Sequence, residues 1–190
     1  MSPPSPWQTG WVRAKLPQKK STASPPTTAQ RPTPDARELR AALGLFATGV
    51  TVITSCGRRG ELIGITANSF SSVSLDPPLV LFSLSRSAHS WREFLSTHYF
   101  AVNVLRRDQE ALSNQFSRPL GDKWAEVEYD TWETGCPILR GTLAAFECEY
   151  EYTHDGGDHI IFVGRVIKMR AKPNGEPLLF VQGRYAGVGE

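Results

Sequence analysis

The chain reads as a mainly β protein, an antiparallel barrel with a few flanking helices rather than a doubly wound α/β sheet. Three observations predict this. Short apolar runs recur between turns rich in glycine, proline and serine, as in 50–66 and 79–84. Residues 146–152 alternate apolar and acidic side chains at period two, and a glycine-bearing turn follows them. Helical periodicity appears only in brief stretches between strands, with no sustained β-α-β alternation.

At 190 residues, 40% hydrophobic and 21% charged, the chain is long enough for one cored domain plus a tail. The tail is 1–34. It holds eight prolines, many Ser and Thr, and five basic residues against no acid. By composition it is a disordered or loosely docked arm, which Trp7 and Trp11 could anchor on the body or a partner. A transit peptide is the weaker reading, since proline breaks the amphipathic helix such peptides need. The domain is then 35–190, with 16 basic and 19 acidic groups. That mildly acidic body argues against nucleic-acid binding. No apolar run is long enough for a membrane span, and no signal-peptide core follows Met1. Cys56, Cys136 and Cys148 are odd in number and lack C-x-x-C spacing, which suits reduced thiols in a cytoplasmic enzyme.

Taken in order, Thr33-Pro34-Asp35 resembles a helix start: cap, proline in the first turn, then acid near the positive dipole end. Leu39, Leu43 and Phe46 recur at helical spacing, and Gly49 can close the helix. Val50 to Ser55 is a strand, 56–60 a turn, and Leu62 to Thr66 the returning strand. A hydroxyl-rich loop follows up to Asp76-Pro77-Pro78, and 79–84 is apolar enough to be buried on both faces. Trp91, Phe94 and Leu95 give the next helix its apolar stripe. Tyr99 to Leu105 is a strand, and a helix carrying Leu112 and Phe116 ends before Pro119. On the alternating strand, Glu147, Glu149 and Glu151 should face water or another chain. His154 to His159 is its turn, Ile160 to Val166 the returning strand, and Leu178 to Gln182 the last one, ahead of a Gly183-Arg184-Tyr185 terminus.

The loop after Leu62–Ile65 is the candidate binding element. Thr66, Asn68, Ser69, Ser71 and Ser72 all donate hydrogen bonds and none is charged, which suits a polar, electron-rich ligand lying on a sheet. The competing reading is a serine-rich loop whose hydroxyls satisfy its own backbone. Several chemistries find no support. No G-x-G-x-x-G follows a strand, and no phosphate-cradling G-x-x-x-x-G-K-[ST] or G-x-S-x-G elbow occurs. Nothing nominates Cys136 or Cys148 as a nucleophile, and Cys148 falls on the apolar face of its strand. His154 and His159 with Asp155 and Asp158 could ligate a metal, but they sit in one glycine-bearing turn with no further ligand pair. Turn chemistry explains Asp155 and the glycines; His159 is left as a hydrogen-bonding platform for a carboxamide or phosphate.

Five segments occur in register: Gly49-Val50-Thr51-Val52-Ile53-Thr54, Thr66-Ala67-Asn68-Ser69-Phe70, residues 72–80 (SVSLDPPLV), Phe100-Ala101-Val102-Asn103-Val104-Leu105, and Gly157-Asp158-His159. Together they resemble the flavin reductase-like domain family, the short-chain NAD(P)H:flavin reductases that serve two-component monooxygenases. The resemblance spans about residues 36 to 187. It implies an FMN-binding type of split β-barrel, a homodimer, with flavin in a groove near the dimer interface. It further implies that Ile63, Gly64, Ile65, Thr66, Ala67, Asn68 and Ser69 touch the isoalloxazine ring and ribityl chain. Ser83, Leu84 and Ser85, with His89 and Ser90 at the next helix start, would hold the phosphate region. Gln115 and Phe116 would line the far end of a dinucleotide, and Gly157, Asp158 and His159 would take the nicotinamide nucleotide, with Tyr185 nearby. Two features depart from the family: His89 stands where relatives often carry another polar or basic residue, and the proline-rich arm is not a family feature.

The implied activity is hydride transfer from nicotinamide C4 to flavin N5, with FAD or FMN and NADH or NADPH as cofactors and a separate flavin-dependent monooxygenase as partner. His159 takes the catalytic position by aligning the nicotinamide. The cofactors carry the chemistry and the protein supplies alignment, so the lack of a triad is consistent. Two other readings are a non-catalytic flavin binder on the same barrel and a pyridoxine-type oxidase; the latter would need cations for a substrate phosphate, which this loop lacks.

Overall fold

The computed structural model describes residues 33–172 and 174–189. The arm expected at 1–34, including Trp7 and Trp11, lies outside the described residues except for Thr33 and Pro34. Helix α1 (Ala36–Leu43) is capped by Asp35, whose carboxylate accepts from the Arg37 amide at 3.1 Å. The cap is therefore Asp35 rather than Thr33, and Pro34 precedes it. Gly44 closes the helix with its N–H on the Arg40 carbonyl at 2.9 Å. Gly49, expected to do so, belongs to strand β1 (Thr48–Gly49).

Seven further strands make the main sheet: β2 (Thr51–Cys56), β3 (Leu62–Ala67), β4 (Ser71–Leu75), β5 (Pro78–Ser85), then α2 (Trp91–Ser96), β6 (Tyr99–Val104), α3 (Glu110–Ser117), and later β9 (Ala144–Gly156) and β10 (His159–Ala171), the latter pair preceded by a small hairpin, β7 (Tyr129–Thr131) and β8 (Pro137–Leu139). That hairpin and the last one, β11 (Leu179–Val181) and β12 (Arg184–Ala186), complete the elements. Part of the expected hydroxyl-rich loop is thus strand β4, and the expected terminus Gly183–Tyr185 contributes to β12.

The main sheet is antiparallel in the order β3-β2-β6-β9-β10-β5-β4. Its two edge strands, β3 and β4, are joined by only residues 68–70. Laid flat, seven strands put their edges about 29 Å apart, whereas the connection reaches at most about 14 Å. The sheet must therefore curl until its edges meet, which makes the split barrel a consequence of connectivity. Ser69 marks the seam: its hydroxyl donates to the Ser83 carbonyl at 2.8 Å and accepts from the Ser83 amide at 3.0 Å.

Ile53, Ile63, Phe82, Phe94, Phe100, Val102, Cys148 and Phe162 fill the barrel interior. Phe82 stacks on Phe162 at 4.9 Å and meets Phe100 edge-on at 5.1 Å. Outside the β2 and β3 strands, α3 covers a second cluster with Phe116, Leu139 and Leu178. The β7–β8 hairpin covers a third, around Cys136, Ile138 and Ala145. This cover corrects one expectation. Glu149 and Glu151 are exposed, but Glu147 is fully buried beneath the hairpin, accepting from the Thr134 amide at 2.9 Å and hydroxyl at 2.6 Å. Alternation at period two predicts a second face; it does not say that water covers it. Along α1 and just after it, Leu39 is 47%, Leu43 65% and Phe46 77% exposed among the described residues.

Candidate active site

Strand β3 has no strand beyond it. Its outward carbonyls are those of Leu62, which accepts from the Trp124 indole at 3.0 Å, and Gly64, which accepts from the Lys123 ammonium at 3.3 Å. Strand parity turns the amides of Gly64 and Thr66 toward the same free edge. The side chains nearby are largely committed to the protein. Thr66 donates to the Ser113 carbonyl at 2.6 Å, Asn68 to the Thr48 hydroxyl at 3.2 Å, Ser69 closes the seam, and Ser71 donates to the Ser72 carbonyl at 3.2 Å. Of these, only Ser71 satisfies the loop's own backbone; Thr66, Asn68 and Ser69 instead bond other elements of the protein. What the loop offers a flat heteroaromatic ligand is backbone amides on an open edge. Ile63 and Ala67 likewise contribute main chain: Ile63 packs inward, and the Ala67 carbonyl accepts from Thr51 at 2.7 Å.

Beside that edge lies a cleft of about 480 Å³, bounded by Leu62–Ile65, by Ser87–Ser90 with Glu93, and by Ser117–Trp124. It brings Ile63, Gly64 and Ile65 together with His89 and Ser90. The cleft's far wall is the segment after α3, whose residues nothing in the sequence pattern singles out. Lys123 there also donates to the Phe116 carbonyl at 3.1 Å, and burial pulls its amine below the usual lysine range while Glu93 pulls the other way. Gln115 holds this wall in place by donating to the Lys123 and Ala125 carbonyls at 3.0 and 2.9 Å. Phe116 is fully buried, edge-on to Trp124 at 5.0 Å, and so braces the wall from inside. Tyr185 bonds the Ser113 hydroxyl at 2.9 Å and the Asn114 carboxamide at 3.1 Å, on α3 rather than beside the β9–β10 turn.

Around the barrel, the β5 end and the β9–β10 turn adjoin. Ser83 pairs with Ile161 and Ser85 with His159 across the β5–β10 ladder, so Ser83, Ser85 and His159 share one face while Leu84 points into the core. Gly157, at φ +77°, and Asp158 form the turn; the Gly157 amide donates to the Asp155 carboxylate at 2.9 Å. His159 is half exposed, and its Nδ1 lies 2.7 Å from Asp158 Oδ1. That bond and the imidazole's charge hold the Asp158 carboxyl below its usual range. With Nδ1 braced, Nε2 is left to face a ligand.

Arg86 fastens the turn to β5. Its amide donates to the Asp158 carbonyl at 2.9 Å, its Nε to the Gly157 carbonyl at 3.1 Å, and its terminal nitrogen sits 3.2 Å from the Asp155 carboxylate. Among the described residues no group of three or more His, Cys, Asp or Glu is arranged to hold a metal.

Gly64 and Ile65 line the cleft together with His89 and Ser90, whereas Ser83, Ser85 and His159 share a face of the β5–β10 ladder and do not line it. The family model described as the flavin reductase like domain matches residues 43–189, and the chain belongs to that family. It is 44% identical over 151 residues to the FMN reductase (NADH) SmoA of Agrobacterium fabrum, covering 80% of this chain and 85% of that protein. It is 40% identical over 154 residues to the reductase subunit HsaB of a flavin-dependent monooxygenase from Rhodococcus jostii, covering 81% and 78%. In three dimensions it is similar to the NADH:FAD oxidoreductase SgcE6 of Streptomyces globisporus, solved with NAD and FAD fragments, at a TM-score of 0.76 and 40% identity over 80% of this chain and 92% of that one. Some relatives are longer: the chain spans 42% of a Rhizobium meliloti protein to which it is 48% identical over 132 residues.

Proposed function

We propose that the chain is an NADH-dependent flavin reductase that supplies reduced FAD or FMN to a separate flavin-dependent monooxygenase, working as a homodimer in the cytoplasm. The observation that carries this reading is the ladder register: Ser85 faces His159 and Ser83 faces Ile161, with Ser69 clamped on Ser83. The segment that resembles a flavin cradle and the turn that resembles a nicotinamide site thus adjoin within one chain.

The donor set fits a flavin. Backbone N–H groups on the free edge of β3 match ring carbonyls and nitrogens, and the hydroxyls of Ser85 and Ser87, 2.8 Å apart, sit where a phosphate end would lie. When bound, the flavin accepts a hydride at N5 from C4 of NADH. This chain's residues bind, orient and shield. The β3 edge would hold the ring and the Ser83–Ser85 face the phosphate end. His159, steadied by Asp158, would hydrogen-bond the nicotinamide nucleotide and orient it toward the flavin. Trp124 and Phe116 close the far side of the β3 edge and exclude water there.

The dimer accounts for apolar surface that one chain leaves uncovered: Leu39, Leu43 and Phe46 along α1 and after it, and Leu75, 94% exposed, on edge strand β4. Steady-state NADH oxidation tests the function. The purified protein oxidises NADH only when FAD or FMN is supplied or already bound; a preparation inert with both flavins overturns the reading.

A further inference from the structure

Besides the ladder pairing of Ser85 with His159, Arg86 ties the Ser85–Ser90 segment to the β9–β10 turn. On one side it belongs to Ser85–Ser90, where Ser85 and Ser87 are bonded hydroxyl to hydroxyl at 2.8 Å and the Ser87 amide donates to the Ser85 hydroxyl at 3.2 Å. On the other side its amide, Nε and terminal nitrogen reach Asp158, Gly157 and Asp155. Its guanidinium also lies 6.0 Å from the ring of Trp91, a residue packed against the barrel core. The turn itself lies open: residues 151–158 are all exposed and His159 is half buried, and apart from Arg86 it is held by the ladder pairs of His159 with Ser85 and Gly156.

We propose that Arg86 is a positioning residue that couples the two nucleotide sites, so that flavin held on Ser85–Ser90 steadies the Gly157–His159 turn and nicotinamide binding tightens flavin in return. This rests on the reading of those two segments as flavin and nicotinamide sites. The reasoning is one of linkage. A ligand on the Ser85–Ser90 segment restricts the backbone from which Arg86 projects. That restriction reaches the turn through a planar fork with two acceptors and through the Arg86 amide. A turn already ordered costs the nicotinamide less to bind. Reciprocity then requires the same factor in both directions. The contacts are partly exposed, which puts the factor at the weak end of coupling. Arginine suits the task better than lysine, because its fork can meet the Gly157 carbonyl and the Asp155 carboxylate together.

The test measures the flavin dissociation constant by fluorescence quenching, with FAD and FMN each as probe, in the presence and absence of saturating NAD⁺, which leaves oxidised flavin unreacted. The wild-type protein should bind flavin about fivefold more tightly with NAD⁺ present. In Arg86→Ala that ratio falls to about one, while a circular dichroism spectrum and thermal midpoint near the wild-type ones report that the barrel is folded. Arg86→Lys, keeping the charge opposite Asp155 but losing the fork, gives an intermediate ratio. An unchanged ratio in Arg86→Ala, or no ratio in the wild type, overturns the coupling. The two levels separate cleanly. A wild-type protein that turns over NADH and flavin but shows no ratio sinks the coupling alone, whereas one that does not turn over sinks the functional reading beneath it.

Discussion

Gly64 offers the sharpest perturbation of the cleft. A Cβ built there would lie 2.4 and 2.6 Å from two ring carbons of Phe116 and 3.1 Å from Trp124. Ordinary carbon contacts are about 3.5–4.0 Å, so in Gly64→Ala the Phe116 ring must retreat by about 1 Å. It has nowhere to go. Phe116 is fully buried and edge-on to Trp124, whose indole is tied to the Leu62 carbonyl. Overpacking of this kind costs about 1–3 kcal/mol. For a domain of this size each kcal/mol lowers Tm by about 2–4 °C, giving a fall of roughly 2–12 °C. The retreat also pushes the Ser117–Trp124 wall outward, so flavin affinity should drop by about tenfold, equivalent to about 1.4 kcal/mol. Calorimetry and flavin fluorescence titration measure the two effects. Adding Phe116→Leu removes the clashing ring atoms, so the double variant should be more stable than the two single effects summed. A Gly64→Ala protein with wild-type Tm and flavin affinity refutes the assignment of this wall to the cleft.

Three further outcomes follow from the geometry. Ser69→Ala opens the barrel seam by deleting both bonds to Ser83 and should cost about 1–3 kcal/mol in denaturant unfolding; Ser71→Ala, an exposed neighbour, should cost within about 0.5 kcal/mol of nothing. The Asp158 carboxyl lies below its usual range through its bond to His159. The brace is therefore complete above about pH 4 and is lost as pH falls through the lower folded value. The KM for NADH should accordingly rise only on acidification below that point, and Asp158→Asn should show a raised KM without that acidic limb; a limb centred well above the carboxylate range contradicts the brace. Leu75→Asp should convert the proposed dimer to monomer in light scattering without unfolding it, since this side chain is 94% exposed in one chain. A wild-type protein already monomeric removes that interface.

The sequence announced most strands because apolar runs bounded by Gly, Pro and Ser need only local information. Cys56–Gly60 and Gly157-Asp158 are turns by their own chemistry, and the structure has hairpins at both. Non-local facts escaped it. The serines read as ligand donors mostly bond the protein, because whether Ser69 meets a ligand or Ser83 depends on how a seven-stranded sheet closes. Glu147 reads as a surface acid because the alternation cannot reveal that the β7–β8 hairpin lies over it. Phe116 and Gln115 look like ligand contacts in a helix, yet one is buried and the other pins the following segment. Arg86 and Lys123 carried no periodic or motif signal. Their roles appear only once β5 and β10 are side by side and the segment after α3 is folded onto β3.

The central claim is that one chain's β3 edge and its β9–β10 turn flank a shared site across β5. The most direct measurement is a crystal structure of the protein soaked with FAD and NAD⁺. The isoalloxazine should lie against the Gly64–Ser69 backbone, the flavin's phosphate end against Ser83–Ser85, with the nicotinamide nucleotide hydrogen-bonded to His159. A flavin bound elsewhere, or a nicotinamide that leaves His159 without contact, contradicts it.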